Sequence, residues 1–126
     1  MLKKSKPKTK AKREVDLVLE THVSELVEGA HIEAEFTFHA VRKWAFDYAI
    51  PGVKLAIEIE GGLWNFGRHN RGRGFQDDLD KYNSAASLGW TVFRFSTEDI
   101  LKGKEIAYLR EFFRYTGVGE ISRVNS

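Results

Sequence analysis

A chain of 126 residues with no cysteine excludes disulfides, thiolate zinc sites and cysteine nucleophiles together. Its four histidines form no close-spaced zinc pair, so carboxylates must carry any metal site, which favours magnesium, manganese or calcium. The net charge of +2 conceals an asymmetry: residues 1–13 carry six Lys and one Arg with no acid, which leaves 13 bases against 18 acids in the rest.

Residues 1–13 therefore read as a basic arm, either a disordered, solvated leader or a segment that meets a polyanion. Residues 14–126 read as a single domain, whose core three Trp, four Tyr and nine Phe can fill. No apolar run approaches the roughly 20 residues of a bilayer span, and no apolar stretch follows the basic arm as it would in a secretory signal. A cytoplasmic protein without membrane contact is the expectation.

From Glu14 to Val27, Leu17, Val18, Val23, Leu26 and Val27 fit an amphipathic helix that Gly29 stops. Residues 31–38 alternate, with Ile32, Ala34, Phe36 and Phe38 on one face and His31, Glu33, Glu35 and Thr37 on the other, as in a half-exposed strand. Residues 44–50 form a second strand, Pro51-Gly52 a turn, and residues 54–60 a third strand with Leu55, Ile57 and Ile59 facing a core. Together they form an antiparallel meander. A glycine- and arginine-rich loop covers residues 61–74.

Helical spacing returns over residues 75–88, with Phe75, Leu79, Tyr82 and Ala86 on one side and Gly89 as the stop. Residues 90–95 are apolar enough for a strand covered on both faces. Ser96 or Thr97 caps a final helix, broken at Gly103, that carries Ile106, Leu109, Phe112 and Phe113. The order α-β-β-β-α-β-α, with a helical crossover into the last strand, implies an α/β fold with a mixed sheet flanked by helices.

The third strand holds the sharpest chemical signal. Glu58 and Glu60 share a face with Ala56, their Cα atoms about 7 Å apart. On the preceding strand Asp47 stands between Ala45 and Ala49, which leave space around a carboxylate. Paired through the Pro51-Gly52 turn, the strands bring Asp47 beside the glutamates, and three crowded carboxylates call for a cation. Water-facing acids on a one-sided sheet would give the same pattern. The alanines, poor choices for an exposed strand, and the following Gly61-Gly62 favour the metal site.

Directly after this strand come Arg68, His69, Arg71 and Arg73, suited to phosphate contacts and, for His69, to handling a proton. No Gly-Lys-Ser/Thr follows, so this is not a P-loop. On the next helix, Asp77 and Lys81 stand at i, i+4, the spacing of a surface ion pair. Lys81 lies about 9 Å along the axis from Phe75, where it could also reach back over the sheet. Trp64 and Trp90 read as core residues.

Phe46-Asp47, Ile57-Glu58-Ile59-Glu60-Gly61-Gly62, the Gly-Arg-His loop and the run from Asp78 through Phe95 together resemble the PD-(D/E)XK nuclease superfamily. They are most similar to its compact branch around the very-short-patch-repair endonuclease and small phage and bacterial endonuclease-domain proteins. The resemblance spans residues 14–113 and implies a restriction-endonuclease-like core. It matches Asp47 to the motif aspartate and Glu58 to the first acid, both magnesium ligands (manganese substituting), with the Ile59 carbonyl as a third. Glu60 stands where the family has lysine, and no proline precedes Asp47. In related branches the following helix supplies that lysine, which makes Lys81 the candidate, and Glu20 is the weak match for an acid on the first helix.

The resemblance thus implies a metal-dependent DNA endonuclease, with Asp47, Glu58, Glu60 and Lys81 catalytic and Arg68, His69, Arg71, Arg73 and the arm on the DNA backbone. One active site would nick one strand, so paired cuts or junction resolution would need a homodimer. A nuclease fold that binds nucleic acid without cutting is the main alternative, since glutamate replaces lysine. A two-carboxylate glycosidase is opposed by the basic loop and arm. A purely structural protein leaves the acids without a purpose.

Overall fold

Thr9 starts the first helix by accepting a hydrogen bond from the Lys12 N–H at 3.1 Å, so α1 spans Lys10–Leu26. This start lies four residues before the one expected. Lysine is a good helix former, and the early bases find acids: Lys8 meets Asp16 at 2.6 Å and Lys12 pairs with Glu35 on the next element. The boundary at residue 13 therefore cuts through a helix. The structure, a computed structural model, describes residues 8–61 and 73–116, and for Arg73 the backbone alone.

The strands are β1 (Glu33–Thr37), β2 (Ala45–Ile50), β3 (Leu55–Glu60) and β4 (Thr91–Ser96), hydrogen-bonded in that order. The first three form the expected antiparallel meander, and β4 lies parallel to β3. Pro51–Val53 makes one 3₁₀ turn between β2 and β3. At the β1–β2 connection His39 Nδ1 accepts from the N–H groups of Val41 and Arg42, closing a tight bend. β1 is shorter than its alternation suggested, and Glu35 at its centre takes a positive φ of 52°.

Helix α2 (Arg73–Ser87) makes the crossover between β3 and β4. It ends at Gly89, whose φ of 88° is left-handed, as its sequence position indicated. The last helix is indeed broken at Gly103, into α3 (Thr97–Leu101) and α4 (Glu105–Thr116). Ser96 caps α3, accepting from the Asp99 N–H, while the Asp99 carboxylate accepts from the Ser96 N–H.

The sheet separates two apolar layers. On one side α1, α3 and α4 bring Val15, Leu19, Val23, Ile100, Leu109 and Phe113 against Tyr48, Ile50, Leu55, Ile57, Ile59 and Phe95. Fully burying side chains of this size contributes about 1.5–3 kcal/mol each, which makes this layer the main source of stability. On the other side Ala85 of α2 meets Ala49 and Ala56, with Phe46, Trp90 and Val92 around them. The alanines beside the strand acids thus make room for a helix.

That close approach turns α2 from its expected orientation. Ala85 faces the sheet with Lys81 and Tyr82 half-buried, whereas Phe75, Leu79 and Ala86 are exposed. β4 was expected to be covered on both faces; as the edge of the sheet it leaves Thr91 and Arg94 exposed. Among the described residues no helix is long and apolar enough to cross a membrane.

Candidate active site

The β2–β3 ladder runs Ile50↔Leu55, Ala49↔Ala56, Tyr48↔Ile57 and stops there. Beyond it two carboxylates replace the main-chain partners. The Asp47 N–H donates to Glu58 Oε2 at 2.9 Å, and the Ile59 N–H donates to Asp47 Oδ2 at 2.7 Å. The strand is irregular at this point: Phe46 packs in the α2 layer and Tyr48 in the opposite one, although residues two apart share a face in a regular strand. Opposite Asp47 in the β1–β2 register stands Glu35, with its positive φ. The sheet is therefore opened where the two acids lie, and the opening interlocks them.

Glu58 is only 5% exposed, and its charge is met from α2. Lys81 Nζ lies 2.9 Å from Oε1, and the Tyr82 hydroxyl donates to the same oxygen at 2.5 Å. Burial pushes the Glu58 carboxyl up, but the Lys81 charge, the Tyr82 hydroxyl and the Asp47 N–H outweigh it and hold the group below the usual carboxylate range. Tyr82 is itself raised, by burial and by donating to a carboxylate. Lys81 therefore does not form the i, i+4 pair with Asp77; Asp77 instead accepts from Arg42 at 2.7 Å and from the Trp44 indole at 3.2 Å.

Glu60 stands apart from this arrangement. Arg94 Nε and Nη2 both lie 2.7 Å from Glu60 Oε1, on the partly exposed edge of the same face. Among the described residues no group of three or more acid or histidine side chains is placed to hold a metal ion, so the expected three-carboxylate cluster reduces to Asp47 and Glu58. The reason is local: β4 sets Arg94 beside Glu58 in the parallel register, within reach of Glu60 one pleat away.

Glu20 is exposed on α1 and lines a separate groove with Thr21, Ser24 and His31. Asp16, one turn earlier, is the α1 acid that reaches the sheet, accepting from the Tyr48 hydroxyl next to Asp47. Arg68, His69 and Arg71 lie outside the described residues, as does Trp64; Arg73 opens α2. Trp90 packs in the α2 layer, as expected. Sequence reasoning missed Asp16, Tyr82 and Arg94. For Tyr82 the available signal was adjacency to Lys81; for Arg94 it was a lone charge inside an apolar strand.

No known protein family matches the chain, and no curated protein does either. Among solved structures, the catalytic domain of the homing endonuclease I-Bth0305I is similar at 20% identity, with a TM-score of 0.54, over 86% of this chain and 97% of that one. The two share a fold.

On that fold, Asp47 and Glu58 present oxygen donors from two adjacent strands beside a single half-buried ammonium. This donor chemistry would suit a hard divalent cation: the oxygen donors are carboxylates, and main-chain N–H groups set their positions.

Proposed function

We propose that this chain is a metal-dependent endonuclease of the PD-(D/E)XK type that hydrolyses phosphodiester bonds in DNA. The observation that carries the reading is the interlock of Asp47 and Glu58 at the end of the β2–β3 ladder, with Lys81 delivered onto Glu58 from the crossover helix. Isolated surface acids would not replace the ladder's own hydrogen bonds or be matched by a half-buried lysine. The likeness to a homing endonuclease catalytic domain supports the same reading.

Asp47 and Glu58 would hold magnesium, or manganese in its place, with the Ile59 carbonyl as a third ligand from the family resemblance. The bound ion would act as a Lewis acid and lower the pKa of a bound water. Asp47 and Glu58 are kept in position by the main chain, so little reorganisation is needed when charge develops. Lys81 places a positive charge beside Glu58, where it can orient a nucleophilic water or stabilise the charge growing on a phosphate. Tyr82 fixes the Glu58 oxygen that Lys81 shares. Arg68, His69, Arg71, Arg73 and the basic segment at the N-terminus would contact the backbone, making binding salt-dependent. Paired cuts would require two copies.

Incubation with supercoiled plasmid, branched DNA and single-stranded DNA, in magnesium, manganese or EDTA, tests the proposal. Cutting that depends on metal and falls to background in Asp47→Ala and Glu58→Ala is the expected result. Retained salt-sensitive binding without cutting would replace it with the inactive binding module.

A further inference from the structure

We infer that Arg94 is a phosphate-binding residue of the nucleic-acid interface, and that Glu60 is its counter-ion rather than a metal ligand. The inference rests on the nuclease reading above and specifies how that site meets its substrate.

Three features of the β4 edge carry it. First, Arg94 is neighbour to Glu58 in the parallel register, so its side chain emerges on the same face as the carboxylate pair. Second, its guanidinium lies over the Tyr82 ring, 5.4 Å from the centroid, while Lys81 Nζ lies 5.1 Å from the same centroid. Lys81, Tyr82 and Arg94 thus form one short array. Its Lys81 end is engaged on the buried Glu58, and its Arg94 end is 57% exposed. Third, Arg94 directs both Nε and Nη2 at a single oxygen of Glu60. A guanidinium fork is matched best by two oxygens in its plane, which a phosphodiester offers and this contact does not.

The exchange from carboxylate to phosphate is easy on physical grounds. An ion pair with both partners this exposed contributes little, and solvent already competes for it. The ring contact supports the guanidinium independently of its partner, so the fork stays in place when Glu60 is displaced. Glu60 in turn offsets the Arg94 charge while no phosphate is bound, which explains an acid at a position where the family resemblance calls for lysine.

The test is metal-free binding of a labelled DNA duplex in EDTA, followed by fluorescence anisotropy across a salt series. Glu60→Gln should bind about three- to tenfold tighter, because it releases Arg94 and removes a competing anion. Arg94→Ala should bind about tenfold more weakly, and its slope of log K against log salt should fall by about one. Arg94→Lys should keep the slope but lose affinity, since lysine retains the charge without the fork. Glu98→Gln and Lys102→Ala, which break the exposed Glu98–Lys102 pair on α3, are charge-matched controls and should shift neither quantity comparably. A manganese titration followed by electron paramagnetic resonance should give the same affinity for Glu60→Gln as for the unaltered chain.

Glu60→Gln binding DNA no better than Glu98→Gln, or losing manganese affinity, would overturn the inference and return Glu60 to the metal site. An unaltered chain that binds none of the DNAs would instead sink the nuclease reading itself. These failures are distinct.

Discussion

Replacing Lys81 with methionine removes the charge that faces Glu58 while keeping the length of the side chain. Glu58 is 5% exposed and the Lys81 side chain 15% exposed, so solvent cannot take over the lost contact. Breaking a buried ion pair on one side costs about 3–5 kcal/mol when nothing else meets the remaining charge. Here the Tyr82 hydroxyl and the Asp47 N–H still donate to Glu58, and hydrogen bonds to charged groups are worth about 1.5–3 kcal/mol each. The expected loss is therefore about 2–3 kcal/mol, below that range. In urea this corresponds to a midpoint lower by about 1–2 M.

The sign with pH follows from the same contacts. Glu58 is held below the usual carboxylate range, so it contributes stability above that range and loses it as pH falls through its own depressed value. Lys81→Met should move that acid limb to higher pH. Combining it with Glu58→Gln should cost much less than the sum of the two single changes, because no buried charge is left to desert. Magnesium should raise the unfolding midpoint more in Lys81→Met than in the unaltered chain, since the ion no longer competes with an ammonium for Glu58. Additive single effects, or a Lys81→Met loss under about 0.5 kcal/mol, would refute the coupling.

Two further predictions concern the opposite face of the sheet and the last helix. Glu105 is fully buried against His22, whose Nδ1 lies 2.6 Å from Oε1, and Oε2 has no hydrogen-bond partner among the described residues. Burial raises its pKa and the His22 hydrogen bond offsets this only in part, so its contribution is present below the usual carboxyl pKa and is lost as pH rises through the raised one. In urea titrations across that window, Glu105→Gln should gain on the unaltered chain as pH rises; parallel curves would contradict the assignment. Ser96→Ala removes the side-chain half of the α3 capping box and should lower stability by about 1 kcal/mol, read as a drop in melting temperature with the sheet's circular dichroism signal unchanged.

Alternation over β3 and the Pro51-Gly52 turn were legible because each rests on contacts a few residues apart in sequence. So were the stops at Gly89 and Gly103, each with a positive φ that glycine adopts without strain, whereas α1 ends at Leu26, three residues before Gly29. The fold class followed from the order of these elements and the length of the crossover. Asp47 beside Glu58 was legible from the pairing of the two strands and Lys81 from its reach along the helix, and the structure brings the three residues together.

The departures came from partners distant along the chain. The early start of α1 brings Lys12 to Glu35 on β1, and the rotation of α2 depends on Ala49 and Ala56 accepting Ala85. Glu60 looked equivalent to Glu58 because the two alternate identically on one strand. What separates them is depth. Glu58 lies under α2, where Lys81 and Tyr82 meet it, whereas Glu60 lies one pleat further on, at an exposed edge, where β4 offers Arg94. Local spacing thus determined which side chains of β3 share a face. Only the packing of α2 and the parallel register of β4 decided which charge each acid would meet, because those contacts span more than 20 residues of sequence.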